Sequence, residues 1–391
     1  MLLENNPYPQ DGRVRREAQS LTTAGYRVTV ISPAGSGQLG SESVAGVQVY
    51  RYPAPKERDG FLGYLLEYGY SMAASALITF YVFVRSGFDV IHAHNPPDTF
   101  VLVAAWYKLF GKKFVFDHHD LSPEMYDARF EGRANPAVHR ALLLFEKLTF
   151  RMADHVISTN ESYKEMAIGR GAMAEDRVTI VRNGPQLDRV APVEADPQLR
   201  DGAATVMGYV GVMGPQDGVD YLIRALDILS NELGRADFRC YIVGEGSEVP
   251  SLKALVTARG LDEVVRFTGR VSDEELMRVL STADICVDPD PLSPFTDRST
   301  MIKMTEYMAM GKPIVAFDLK EHRRTAADSA VYATPNDESD FARLLAELMD
   351  DPDKRRRMGE AGRHRVETEL AWQYQERRLV DAYNQLLSLG A

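Results

Sequence analysis

The stretch TVMGYVGVMGPQDGVDYLIRAL, from Thr205 to Leu226, decides the fold. It places a short apolar run before a glycine-bearing turn, Gly211-Val212-Met213-Gly214 then Pro215-Gln216-Asp217-Gly218, and follows it with apolar residues at helical spacing. Strand, tight turn and helix in that order are one βα unit, and repetition of the unit builds a doubly wound parallel sheet. Glycines at such a turn let backbone approach a diphosphate, and the following helix N-terminus favours negative charge. A tight βα turn would use the same glycines, so the motif speaks first to architecture.

Outward from this unit, strand-like runs alternate with helical patterns in both directions. Upstream lie YRVTVIS (Tyr26–Ser32), DVIHAH (Asp89–His94), KFVFDHH (Lys113–His119), DHVISTN (Asp154–Asn160) and VTIVRNG, ending at Gly184. Downstream lie DFRCYIVG (Asp237–Gly244), VVRFTG (Val264–Gly269), DICVDP (Asp284–Pro289), PIVAFD (Pro313–Asp318) and AVYAT (Ala330–Thr334). The polar stretch PQLDRVAPVEADPQLRDG between the two series reads as a connection. A chain of 391 residues exceeds what one hydrophobic core usually supports. We therefore expect an α/β protein of two Rossmann-like doubly wound domains facing a cleft, residues 1–186 and 187–371, with a C-terminal helix, 372–391, packing back on the first. The opening MLLEN is short for a first strand, which is either abbreviated or continued by residues upstream.

The formal net charge is -11, and up to Arg189 basic and acidic residues balance at 21 each, so the acidic excess lies downstream. That balance argues against nucleic acid, whose phosphates demand a surplus of Lys and Arg. An anionic ligand would then be held locally, by backbone N–H groups and a few placed cations. Cys240 and Cys286 each sit in an apolar run, which supports neither a disulfide framework nor a cysteine metal site and fits a reducing cytoplasm. No cleavable signal is read at the N-terminus. Residues 62–84, LGYLLEYGYSMAASALITFYVFV, form the one candidate for peripheral contact with the cytoplasmic face of the inner membrane, against the plainer reading of a mostly buried helix.

Ligands of open parallel sheets sit beyond the carboxyl ends of the strands. After the strand at Val115 stands Asp117-His118-His119-Asp120, where a histidine can bond a sugar hydroxyl and flanking carboxylates can fix its tautomer. Zinc is the rival for these histidines with His92 and His94, but adjacent strand residues point to opposite sides and no HExxH-like spacing occurs, so we expect no metal. Gly244-Glu245-Gly246-Ser247 is a second glycine turn that packing alone could explain. From Asp288 to Pro313 a polar loop leads into a helix, with Ser299 and Thr300 as N-cap candidates, Arg298 and Lys303 as nearby cations, and Glu306 placed for a ribose. Asp288-Pro289-Asp290 looks like a metal-binding DxD but reads as an ordinary loop.

These pieces in this order, together with NPYPQDGRVRREAQSLTTAGYRVTVIS, FVFDHHDLSPE, ADHVISTNES, VGEGSE and KMTEYMAMGKPIVAFD, resemble the family 4 retaining glycosyltransferases of the GT-B fold over nearly the whole chain. The resemblance implies a metal-independent, cytoplasmic hexosyltransferase. It would move a sugar from a nucleotide-diphosphate donor, a UDP-sugar first among them, to a hydroxyl on a carbohydrate or lipid-linked acceptor in polysaccharide or glycoconjugate synthesis. It maps the active-site histidine onto His119, and acceptor or sugar contacts onto His94, Asp117 and Asp120. Donor contacts fall on Gly12, Arg13, Gly211, Met213, Gly214, Arg298, Ser299, Thr300, Lys303 and Glu306. Val212 and Asp217 stand where many members carry a phosphate-clamping Arg and Lys, and Arg298 stands where the first of two glutamates would be. The inference is that Arg298 and Lys303 supply the missing charge. The alternative is a non-catalytic sugar-nucleotide-binding scaffold subunit, and a third reading is a nucleotide-sugar epimerase.

Overall fold

In a computed structural model the protein is described over residues 1–54, 61–130 and 134–388, without the side chains of 61–65 and 129. The chain divides into two units, Met1–Asn183 with Gln375–Ala391, and Gly184–Tyr374.

The first unit carries α1 (Gly12–Thr23), β1 (Thr29–Pro33), β2 (Ser41–Val44), β3 (Val47–Tyr52), α2 (Phe61–Ser86), β4 (Val90–His94), α3 (Val101–Lys108), β5 (Lys113–His118), α4 (Ser122–Phe130), α5 (Pro136–Met152), β6 (His155–Ser158), α6 (Glu161–Gly169) and β7 (Val178–Ile180). Its strands run in the orders β1-β3-β2 and β4-β5-β6-β7. Leu2 joins the two groups by bridging Ile31 and Ala93, both in parallel. Its N–H donates to the His92 carbonyl at 2.8 Å and its carbonyl accepts from His94 N–H at 3.1 Å. The short opening segment thus acts as a central strand of one bridge. The β2–β3 hairpin was not read from the sequence; it is antiparallel and turns through Ala45 and Gly46, both at positive φ (49° and 83°), the backbone that tight hairpins require.

The second unit carries α7 (Pro197–Arg200), β8 (Thr205–Val210), α8 (Val219–Asp227), β9 (Phe238–Val243), α9 (Val249–Ala258), β10 (Val265–Gly269), α10 (Asp273–Thr282), β11 (Ile285–Asp288), α11 (Ile302–Ala309), β12 (Ile314–Phe317), α12 (Lys320–Ala326), β13 (Ala330–Ala333), α13 (Glu338–Asp350) and α14 (Pro352–Arg365). Six parallel strands run β10-β9-β8-β11-β12-β13, so the order reverses beside β8. That reversal is where crevices of open α/β sheets form. The central strands β9, β8, β11 and β12 are buried on both faces, with Met207, Tyr209, Cys240 and Ile242 fully covered, which explains why they read as continuous apolar runs. The last helix, α15 (Trp372–Ser388), belongs from Gln375 onward to the first unit, where Tyr383 Oη lies 2.8 Å from His92 Nδ1 and Tyr26 Oη donates to Asn384 at 2.6 Å.

The inner face of α2 mixes hydroxyls with apolar residues such as Met72 and Ile78, and its outer face carries apolar groups. Ser71, Ser75, Thr79 and Val82 face inward, while Leu66, Tyr70, Leu77, Phe80, Tyr81 and Val84 are exposed. Among the described residues, no helix is long and apolar enough to cross a membrane.

Candidate functional site

In the first unit the side chains converge at the carboxyl ends of β4 and β5, opposite the start of α1. Asp11 caps α1, its side chain accepting from Val14 N–H at 2.9 Å, and one turn of helix then places Arg13 and Glu17 on the same face. Arg13 is buried. Its Nε donates to both oxygens of Asp117 (3.1 and 3.0 Å), its Nη2 lies 2.9 Å from Asp117 and 3.0 Å from Glu17, and its Nη1 donates to the Val181 carbonyl and to Asn183 Oδ1, each at 3.0 Å. The fork of the guanidinium thereby fixes the Asp117 carboxylate through two nitrogens, Nε and Nη2.

His119 Nδ1 faces Asp117 Oδ1 at 3.3 Å, and no described residue engages its Nε2. Asn95 fixes the loop beneath it: Oδ1 accepts from the N–H groups of His119 (2.9 Å) and Asp120 (3.1 Å), while Nδ2 donates to the Asp120 carbonyl (2.7 Å) and Asp98 (3.1 Å). Burial alone would lower the His119 pKa, but the hydrogen bond and charge of Asp117 outweigh it and raise the value above the ordinary histidine range. Burial would raise Asp117, yet Arg13 and the surrounding histidines hold it well below the usual carboxylate range. Glu17 goes the other way: burial, opposed by Arg13 and reinforced by Asp117, raises it well above the usual carboxylate range. His94 stacks on His92 with ring centres 4.3 Å apart, and its Nδ1 lies 3.1 Å from Asp117 Oδ2. Burial keeps His92 neutral, its pKa lowered to about 3. His118 points to the other face, against Phe150 and Tyr163, as neighbours on a strand must.

The expectation that His94 and Asp117 touch a sugar meets their burial: they have 1% and 0% of their surface exposed, so they stand behind His119 and orient it. His119 and Asp120 are half-buried and remain reachable. Arg13, expected near donor phosphates, is held by Asp117, Glu17 and Asn183 instead of facing open space, whereas the Cα of Gly12 is open. Glu17, Asn95 and Asn183 were not singled out from the sequence. Only Glu17 carried a signal, its i+4 spacing from Arg13.

In the second unit three loops press together. A Cβ on Gly244 would fall 1.9 Å from the Gly211 carbonyl, one on Gly246 2.2 Å from the Met213 carbonyl, and one on Gly218 2.1 Å from the Pro289 carbonyl. These glycines are therefore demanded by backbone packing, and they hold the Gly211–Gly214 turn in place through Met213 N–H to Glu245 carbonyl at 2.9 Å. Val212 is exposed, and Asp217 folds back to accept from Gly214 N–H at 2.8 Å.

Lys303, on α11, is buried, with Nζ 2.7 Å from Asp290 and 3.1 Å from Asp288 and 5.0 Å from the centre of the Tyr209 ring. Asp288-Pro289-Asp290 is therefore not an ordinary loop but two fully buried carboxylates on one ammonium, with His322 Nε2 at 3.7 Å from Asp288. Burial and the neighbouring Asp288 push Asp290 well above the usual range, while Lys303 and His322 overcome burial and hold Asp288 below it. Arg298 Nη1 donates to the Pro294 carbonyl at 2.7 Å. Ser299 and Thr300 do not cap α11, contrary to the sequence expectation. Met301 is the N-cap residue, because Ser299 Oγ donates back to the Phe295 carbonyl (2.9 Å) and closes the preceding turn. Glu306 is half-buried on the same helix, one turn beyond exposed Ile302.

Among the described residues two groups could offer metal ligands, Glu17-His92-His94-Asp117 and Asp288-Asp290-His322, with ligand atoms within 4.8 Å of one another. In each a side-chain cation, Arg13 or Lys303, already stands against the carboxylates.

Two units built on parallel strands that alternate with helices are the architecture of the GT-B fold. The family described as "Glycosyl transferase 4-like domain" matches residues 12–184, and "Glycosyl transferases group 1" matches residues 193–365. The chain belongs to the group 1 glycosyltransferases of family 4. It is 26% identical to the MMP alpha-(1->4)-mannosyltransferase of Mycolicibacterium hassiacum over 316 residues, covering 78% of this chain and 72% of that protein. Its fold is similar to that of sucrose-phosphate synthase from Thermosynechococcus elongatus (TM-score 0.82, 20% identity, 99% and 95% of the two chains). It is also similar to that of Anabaena HepE in complex with UDP (TM-score 0.71, 16% identity, 98% and 99%).

Proposed function

We propose that this protein transfers a hexose from a UDP-sugar to a hydroxyl of a carbohydrate or glycoconjugate acceptor, with retention and without a metal ion, the donor held by the second unit and the acceptor by the first. The observation that carries this reading is His119, set on a carboxylate that Arg13 keeps ionised, with its Nε2 left for substrate. A histidine whose charged form is favoured by a neighbouring carboxylate suits a sugar hydroxyl or a phosphate oxygen. Arg13 and Asp117 are then positioning residues, and Asp120 the second reachable polar group. Donor phosphates would meet the Gly211-Met213-Gly214 backbone, with Ser299, Thr300 and Arg298 alongside and Glu306 on the ribose. Lys303 holds the Asp288 and Asp290 carboxylates that follow β11. Charge that develops on the leaving diphosphate meets groups already in place. The proton of the attacking hydroxyl passes to a donor phosphate oxygen. Metal independence is supported by the two internal cations, which already answer the carboxylates a divalent ion would need.

The test combines EDTA-treated protein with a panel of UDP-, GDP- and ADP-sugars, and follows donor hydrolysis and the anomeric configuration of any transferred sugar by NMR. The expected result is slow turnover of a UDP-sugar, unchanged by EDTA, with retention in the product. His119→Gln is expected to lower turnover by about 100-fold while UDP binding is kept. Binding of UDP-sugars with no turnover in the wild type favours the scaffold reading, and restoration of activity only by added divalent metal overturns the metal-free one.

A further inference from the structure

The outer faces of α2, α3 and α5 make one surface. All three helices cover the same side of the first unit's sheet, their inner residues Met72, Ile78, Val101, Tyr107, Phe145 and Leu148 sharing one core. Phe83 of α2 meets Tyr107 and Phe110 at the end of α3 (ring centres 5.2 and 5.7 Å), and Thr149 of α5 donates to the Asp98 carbonyl just before α3 (2.8 Å). On the outside, α2 shows Leu77 (71% exposed), Phe80, Tyr81 and Val84, and α3 shows Leu102 and Trp106 one turn apart, followed by Leu109 (78%) and Phe110. Single exposed apolar residues are ordinary, but a contiguous set of this size marks a contact surface.

The third helix says what the contact is. Along α5 the exposed residues include Arg140, Leu144, Lys147 and Arg151, at helical spacings of four, three and four, and among the described residues none of the three cations is paired with a carboxylate. Among the described residues of these helices the carboxylates are Glu67, half-buried on α2, and Glu146, buried and bound to Arg170. A face that sets aromatic and aliphatic groups, a tryptophan included, beside unpaired cations fits the interface of an anionic bilayer, where apolar groups enter the acyl boundary and cations meet headgroups. A second copy of the same face would bring no acidic residues to meet those cations. Because the serines of α2 point inward, the helix lies flat on the unit instead of leaving it.

We infer that this three-helix face docks the protein on a membrane surface rich in anionic lipid. The inference does not rest on the reaction assigned above. In a flotation assay the full chain is expected to bind phosphatidylcholine vesicles containing phosphatidylglycerol, and to be released by high salt from vesicles of the same composition. Arg140→Ala, Lys147→Ala and Arg151→Ala together are expected to weaken the partition by roughly 100-fold, and Leu77→Glu with Trp106→Glu to abolish it. Thermal melting and UDP binding of these variants verify that they are folded. Equal partition of the variants and the wild type overturns the inference. So does absence of flotation together with a self-association in analytical ultracentrifugation that Leu77→Glu dissolves, since the face is then an interface between copies.

Discussion

Asp117→Ala is expected to lower the stability of the first unit by about 3 to 5 kcal/mol, because it strands the buried Arg13 guanidinium without the carboxylate that receives three of its contacts. The corresponding fall in Tm is roughly 6 to 20 °C. Turnover is expected to fall by about 100-fold to 10,000-fold, since His119 loses both its orientation and its charge. Asp117→Asn separates the two effects: it keeps the shape and most of the packing but removes the charge. His119 is then left to its burial, which lowers its pKa. With the protonated ring required, wild-type activity declines as pH rises through a value above the ordinary histidine pKa, and in Asp117→Asn the same decline occurs at lower pH. Stability follows the same sign. The Asp117–His119 pairing contributes fully below the unfolded histidine pKa and is lost as pH rises through the raised folded one. The contribution of Asp117 itself is lost only as acid takes the pH down through its depressed value. A pH–rate profile whose alkaline limb does not move in Asp117→Asn defeats the assignment.

Lys303→Ala is the second large effect. It leaves Asp288 and Asp290 fully buried with no cation, and a loss of about 3 to 5 kcal/mol is expected in the second unit alone. Protonating the remaining carboxylates removes the cost, so the variant should regain stability as pH is lowered into the acid range, where the wild type does not gain. The two tryptophans make the measurement direct: Trp106 lies in the first unit and Trp372 in the second, and with Trp106→Phe the remaining fluorescence reports the second unit. A shift of equal size in the Trp106 signal would mean that the triad is not local to its own unit.

The sequence made the sheets legible because parallel strands buried on both faces read as uninterrupted apolar runs, and each such run named above contains a strand. It hid the β2–β3 hairpin, whose SESV edge is polar and whose turn is Ala-Gly rather than Asn-Gly. The position of His119 could be read from its place after a strand. The state of Lys303 could not, since a lysine in the first turn of a helix looks like a free phosphate ligand until two carboxylates from the end of β11 are seen beside it. The same holds for Arg13, whose partners Asp117 and Asn183 lie more than a hundred residues away. Caps also misled: Ser299 and Thr300 have the right chemistry, but the preceding turn uses the Ser299 hydroxyl first.

Asn95 binds four groups through one amide, and a carboxylate in its place could not donate to Asp98 or to the Asp120 carbonyl. Asparagine in proteins ages into aspartate when the next backbone nitrogen attacks the side chain, yet here the next residue is Pro96, which has no N–H to do so. The tie that steadies His119 is thereby shielded from slow chemical decay, and stored protein should lose function by other routes before this one.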